Sequence, residues 1–193
     1  MINRLKPAPR ATLLRAAPKA TGKTAATVVR QPTLHKKPVP ADALAAAKDL
    51  LRLSDGNDVS IASFTATPAE LTAIAQQKSA LNRFLEKVGM NISAAVPESD
   101  DAQQSVKPFS GDLASAIYTF AEVPQSSPPT AQSRAAQARA RADAAVLARE
   151  LKKTGGDVYL VNWNNQDDTN VNILVAMNKR SGRLTVVKTF PAV

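Results

Sequence analysis

The groups with which this chain could do chemistry are few. It has one histidine, His35, and no cysteine in 193 residues, so no His- or thiolate-based zinc or iron centre has a ligand set. A hydrolase triad lacks its base, because His35 stands among Thr33-Leu34-His35-Lys36-Lys37, outside the segments that read as folded. Thr21-Gly22-Lys23-Thr24 looks like the end of a phosphate-binding loop. That motif needs a glycine where Ala17 stands and a strand before it, and Pro18 follows instead. Asp100 and Asp101 are adjacent rather than spaced as paired acid-base carboxylates would be, and they read as part of a solvated loop. No cofactor or metal is expected.

What remains is positive charge, and it is unevenly placed. The net charge is +9. Residues 1–40 hold nine Lys or Arg and no acid, while the other sixteen cationic residues balance sixteen acidic ones. This arm is rich in Ala, Thr and Pro with only short apolar pairs such as Leu13-Leu14 and Val28-Val29, too little to repay the entropy of ordering. It is expected to be a disordered basic arm. It could be a plain solvated tail, a transit-type or bacterial export signal, a nucleic-acid arm acting by counterion release, or a packing arm.

The elements that would position any functional group lie after the arm. Residues 41–53 are strong helix formers with Leu44, Ala47 and Leu51 at helical spacing, and Ser54-Asp55-Gly56-Asn57 stops them. Val59 to Phe64 alternates as a short strand. Thr67-Pro68-Ala69-Glu70 is a capping box with proline in the first turn, opening one helix whose stripe runs Leu71, Ile74, Ala75, Leu81, Leu85 and Val88 to a stop at Gly89. Residues 93–111 are polar and read as a surface loop. Asp112 to Val123 is apolar and fits either a helix or a strand, with a short helix capped by Ser110 or Asp112 the preferred reading, and Ser126-Ser127-Pro128-Pro129 reads as a break.

From the cap Thr130 to Gly155-Gly156, a long helix places Ala136, Ala140, Ala144, Leu147 and Leu151 within roughly 80° of its circumference at about 100° per residue. Its other side is cationic. Arg134, Arg141, Arg149 and Lys152, with Lys179 and Arg180 further on, are the candidate nucleic-acid contacts. The competing reading is a solubilising face with internal pairs such as Arg139 with Asp143.

The last forty residues form the clearest unit. Residues 157–163, 171–177 and 183–190 are rich in β-branched and aromatic residues at hairpin spacing, with Asn/Asp loops and Gly182 at the second turn. Val171, Ile173, Val175 and Met177 fall on one face and Asn172 and Asn178 on the other, which predicts one buried and one wet side. The mixed third strand, with Leu184, Val186 and Lys188 on one face and Arg183, Thr185, Val187 and Thr189 on the other, reads as an edge strand. Trp163 and Tyr159 would serve a binding surface if exposed.

A helix followed by this meander, closing on the run from Asn172 to Pro191 with strand, Lys/Gly turn, strand and Thr-aromatic-Pro, resembles the carboxyl end of bacterial toxin ribonucleases of the barnase, colicin and RelE type. The resemblance covers about sixty residues. It implies RNA cleavage on the sheet face, with Arg183, Lys188 and Thr189 on the last strand and Tyr159 on the first as catalytic candidates. The meander departs from most such enzymes in having neither His nor Glu, so cleavage would follow the Lys, Arg and Tyr manner.

The expected architecture is α+β: several helices packed on a C-terminal three-stranded antiparallel meander behind a disordered basic arm. The segments would be residues 1–40 (arm), 41–125 (helical part with a short strand), 126–130 (hinge) and 131–193 (helix plus sheet). With no apolar run of about eighteen residues, no membrane span is expected, and the start lacks a secretory h-region. The expected partner is RNA or another polyanion, in a small bacterial-type protein that is cytoplasmic or exported as a toxin or effector. A non-enzymatic protein-interaction or assembly role, with the arm as export or packing segment, is the alternative.

Overall fold

The computed structural model describes residues 36–54, 58–90, 103–164 and 170–190. The expectations for the arm before Lys36, the helix stop at residues 55–57, Asp100 and Asp101, and the loop after Asn164 concern residues outside this set, as does the side chain of Trp163.

Five helices and six strands are described, in the order β1 (Lys36–Lys37), α1 (Ala41–Leu53), β2 (Asp58–Thr65), α2 (Pro68–Gln76), α3 (Lys78–Lys87), β3 (Gln103–Pro108), α4 (Leu113–Phe120), α5 (Ala131–Thr154), β4 (Asp157–Asn164), β5 (Asn170–Met177) and β6 (Arg183–Phe190). The fold is α+β, as expected, but the sheet has six strands rather than three. Its order is β1-β2-β6-β5-β4-β3, and every neighbouring pair is antiparallel.

Three strands beyond the expected meander complete the sheet. β2 was expected as a strand, and it joins the meander by pairing along its whole length with β6, from Asp58 opposite Phe190 to Thr65 opposite Arg183. Segments on both sides of residues 126–130 therefore share one sheet. β3 replaces part of the expected surface loop, pairing Val106 with Val161 and Pro108 with Tyr159; as an edge strand it tolerates a proline. β1 takes the last two cations of the supposed arm and sets Lys36 opposite Phe64 and Lys37 opposite Ser63.

β6 is not an edge strand. It lies between β2 and β5, and its mixed character has another cause: both faces of the sheet are covered. On one face Ala62, Phe64, Val161, Val171, Ile173, Val175, Met177, Leu184 and Val186 pack against Ile74, Leu81, Phe84 and Leu85 of α2 and α3, with Phe64 and Phe84 edge to face at 6.3 Å. On the other, Val59, Ile61, Leu174, Ala176 and Val187 pack against α1, α4 and α5 through Ala43, Leu50, Ile117, Ala140, Ala144, Leu147 and Leu151. The side expected to be wet is thus a second core. Its polar residues are satisfied locally: Asn162 Nδ2 donates to Asn172 Oδ1 at 2.7 Å, and Thr189 Oγ1 donates to the Asn172 carbonyl at 3.2 Å.

The helix ends follow local chemistry. Thr67 and Glu70 form the capping box of α2, Asp112 accepts from the Ser115 amide to cap α4, and Thr130 with Ser133 caps α5. The helix expected to run unbroken to Gly89 is interrupted at Gln77, whose backbone is extended (φ −138°, ψ 120°). Lys87 of α3 then reaches Glu70 of α2 at 2.7 Å across the break.

Candidate functional site

The strongest convergence of functional groups is at the sheet end where β2 stops and β6 starts. The β5–β6 turn is built from Asn178, which accepts the Arg180 and Ser181 amides on Oδ1 (3.0 and 3.1 Å) and donates from Nδ2 to the Thr154 carbonyl at the end of α5 (2.9 Å). The Gly182 amide donates to the Asn178 carbonyl, and the Gly182 carbonyl accepts from Ala66 at 2.8 Å. The turn is therefore pinned to α5 on one side and to the exit of β2 on the other. Arg180 and Ser181 stand exposed at its tip.

Arg183 follows at the base. It is half-buried, and its Nε donates to Ser63 Oγ at 3.3 Å. Ser63 donates to the Leu184 carbonyl and lies 3.4 Å from the Thr185 hydroxyl, which in turn meets the hydroxyl of Thr154. Ser63, Thr154 and Thr185 are all buried, so a seam of hydroxyls orients the guanidinium from beneath. Lys37 lies on the same face, one strand over, opposite Ser63. Together Lys37, Pro38, Thr65, Ser181 and Arg183 line a cleft of about 420 Å³.

Three cations at this end are without a carboxylate partner, as are Lys48, Arg83 and Lys107 elsewhere on the described surface. Among the described residues Lys37, Arg180 and Arg183 form no ion pair, whereas six other cations do. Lys179 is one of those, held 2.6 Å from Asp157. That hydrogen bond and its charge raise the Lys179 amine and hold the Asp157 carboxyl low. The other seven cations of the basic arm precede Lys36 in the sequence.

The four residues that the ribonuclease resemblance singled out are dispersed. Arg183 and Thr189 lie on the face covered by α1, α4 and α5, at opposite ends of β6. Thr189 is 2% exposed and used in the core. Lys188 and Tyr159 are on the other face, with β5 between their strands. Burial lowers the Lys188 amine against the opposing charge of Asp58. Burial likewise raises the Tyr159 hydroxyl, which donates to Asp157 at 3.4 Å.

The cationic candidates on α5 divide too. Arg149 pairs with Asp42 of α1 at 2.8 Å, Arg141 stacks on the Tyr118 ring of α4 at 5.1 Å, and Arg134 caps the Pro129 carbonyl at 3.4 Å. The first two contacts dock α5 on α1 and α4, and the third closes its own N-terminal end. Arg139, expected to pair with Asp143, pairs instead with Asp49 of α1 at 2.6 Å. Lys152 is exposed in the last turn of α5.

No family model, curated protein or solved structure matches this chain. Among the described residues no group of His, Asp and Glu could hold a metal ion, and no helix is long and apolar enough to cross a membrane. Sequence reading named Arg180 and Arg183 but missed Thr65, Ser63 and Ser181 and gave Lys37 only as one cation of the arm. Their assembly depends on the β1–β2–β6 pairing, which no local signal announces.

Proposed function

We propose that this protein binds RNA or another polyanion, and that the sheet end around the β5–β6 turn is its contact surface. The observation that carries the reading is a cleft lined by Lys37, Arg183 and the Thr65 and Ser181 hydroxyls, with Arg180 on the adjoining turn and no carboxylate partner for the three cations among the described residues. Cations of this kind bind phosphates by releasing condensed counterions. Hydroxyls and a guanidinium held from below fix the orientation of a phosphate rather than merely attracting it. The seven cations of the acid-free stretch before Lys36 add to the protein's positive charge, which would raise the rate of encounter. In this reading Arg183 passes from the expected catalytic set to a binding role, and the protein need not cut what it binds.

The test is a salt series of equilibrium binding to labelled RNA with the full-length protein. It compares Arg180→Ala/Arg183→Ala with a control of equal charge, Lys48→Ala/Arg83→Ala, taken from exposed positions elsewhere. Each phosphate contact contributes about 0.7 to the slope of log K against log salt for a single strand. The site variant should flatten the slope by about 1.4 and the control should leave it unchanged. Equal slopes for wild type and site variant would remove the site.

A further inference from the structure

We infer that the ligand of this surface is single-stranded nucleic acid, with a base seated in a second cleft on the opposite side of the β5–β6 turn. The inference rests on the polyanion reading above and adds a ligand class to it. The second cleft measures about 550 Å³ and is walled by Ala66, Pro68, Leu71 and Ala75, with Arg180 at its rim. It shares Thr65 and Ser181 with the cationic cleft, so an apolar recess and a phosphate-type recess adjoin across one turn.

That pairing matches the two halves of a nucleotide unit. A phosphate is met by Arg183, Lys37 and the Ser181 hydroxyl. The base leaves water for aliphatic side chains, with the planar Arg180 guanidinium available to stack on it. A simple polyanion would make no use of the apolar recess, and a duplex would keep its bases stacked inside the helix and offer only phosphates and groove edges. The volume suits a base and sugar and lies within the range of small-ligand pockets. Charge complementarity with the adjoining cations selects the nucleic acid over an uncharged apolar ligand.

The experiment measures binding of the full-length protein to a labelled single-stranded oligonucleotide, the duplex of the same sequence, and inorganic polyphosphate of matched charge. Wild type and Ala75→Gln are compared at one salt concentration. Ala75 is exposed on α2, so glutamine keeps the helix and the net charge while filling the recess. The single strand should bind at least about fivefold tighter than polyphosphate, and Ala75→Gln should abolish that preference while leaving polyphosphate binding unchanged. Equal affinity for strand and polyphosphate, or equal weakening of both in Ala75→Gln, overturns this inference and leaves the polyanion reading standing. Absence of binding to all three ligands overturns both.

Discussion

Gly182→Ala and Gly89→Ala form a matched pair from which the geometry of the β5–β6 turn can be measured. Both glycines are left-handed, at φ +69° and +72°. An L-residue pays about 1–2 kcal/mol there, of which the stiffer unfolded chain returns about 0.4–1 kcal/mol. A methyl at Gly89 meets nothing within 4 Å among the described residues, but one at Gly182 would sit 2.7 Å from the Ala66 carbonyl oxygen. Relieving that contact must displace backbone, because the Gly182 carbonyl is itself bonded to the Ala66 amide at 2.8 Å. Forced displacement of this kind costs about 1–3 kcal/mol more. Gly89→Ala should therefore lose about 1 kcal/mol and Gly182→Ala about 2–4 kcal/mol, read from urea midpoints at constant m-value. Equal losses in the two variants would refute the close approach of β2's exit to the turn, and no loss in either would refute the left-handed backbone itself.

Two further outcomes follow from Asp143, which is half-buried, and Thr185, which is buried. Asp143 has its carboxyl raised first by burial and then by the neighbouring charge of Asp49, against the pull of Arg139, and its Oδ2 has no hydrogen-bond partner among the described residues. The folded state thus binds this proton to higher pH than the unfolded state. Ionisation opposes folding at neutral pH, and the opposition vanishes as pH falls below the carboxylate range. Asp143→Asn should raise the melting temperature at pH 7 and leave it unchanged near about pH 3; an advantage that persists in acid would mean the charge is not its source. Thr185→Val keeps the volume but breaks the hydroxyl seam between Ser63 and Thr154. It should cost about 1–2 kcal/mol in chemical denaturation, and a loss below about 0.3 kcal/mol would show that the seam contributes no net stability.

The parts of this fold legible in the sequence are those set by short-range chemistry. Thr67 and Glu70 announce a capping box because both partners lie within four residues. Gly182 marks its turn because few other residues adopt that φ. The three C-terminal strands stand out through β-branched runs. β3 was missed because Gln103-Gln104-Ser105-Val106-Lys107-Pro108 carries one strongly apolar residue, and an edge strand needs no more. The break at Gln77 has no glycine or proline to signal it. Asn172 and Asn178 suggested a wet face, since nothing in the sequence says that one will bond Asn162 and the other the end of α5. The candidate site was half legible: Arg180 and Arg183 could be named, but Lys37, Ser63 and Thr65 join them only through a register between distant strands.

The strand order also governs when the protein can become whole. Ser63 and Leu184 are hydrogen-bonded across the β2–β6 ladder although 121 positions separate them. During synthesis α1 and β2 emerge long before the strand that completes them. Ile61 and Phe64, both core residues, must wait exposed until β6 has been made, and the sheet closes from its middle at the last step. Such distant pairing makes for slow closure and a long interval of vulnerability to aggregation. A ribosome that stops short of residue 183 would release a chain able to form the β4–β5 hairpin, with β2 deprived of its β6 partner and the proposed anion site never assembled.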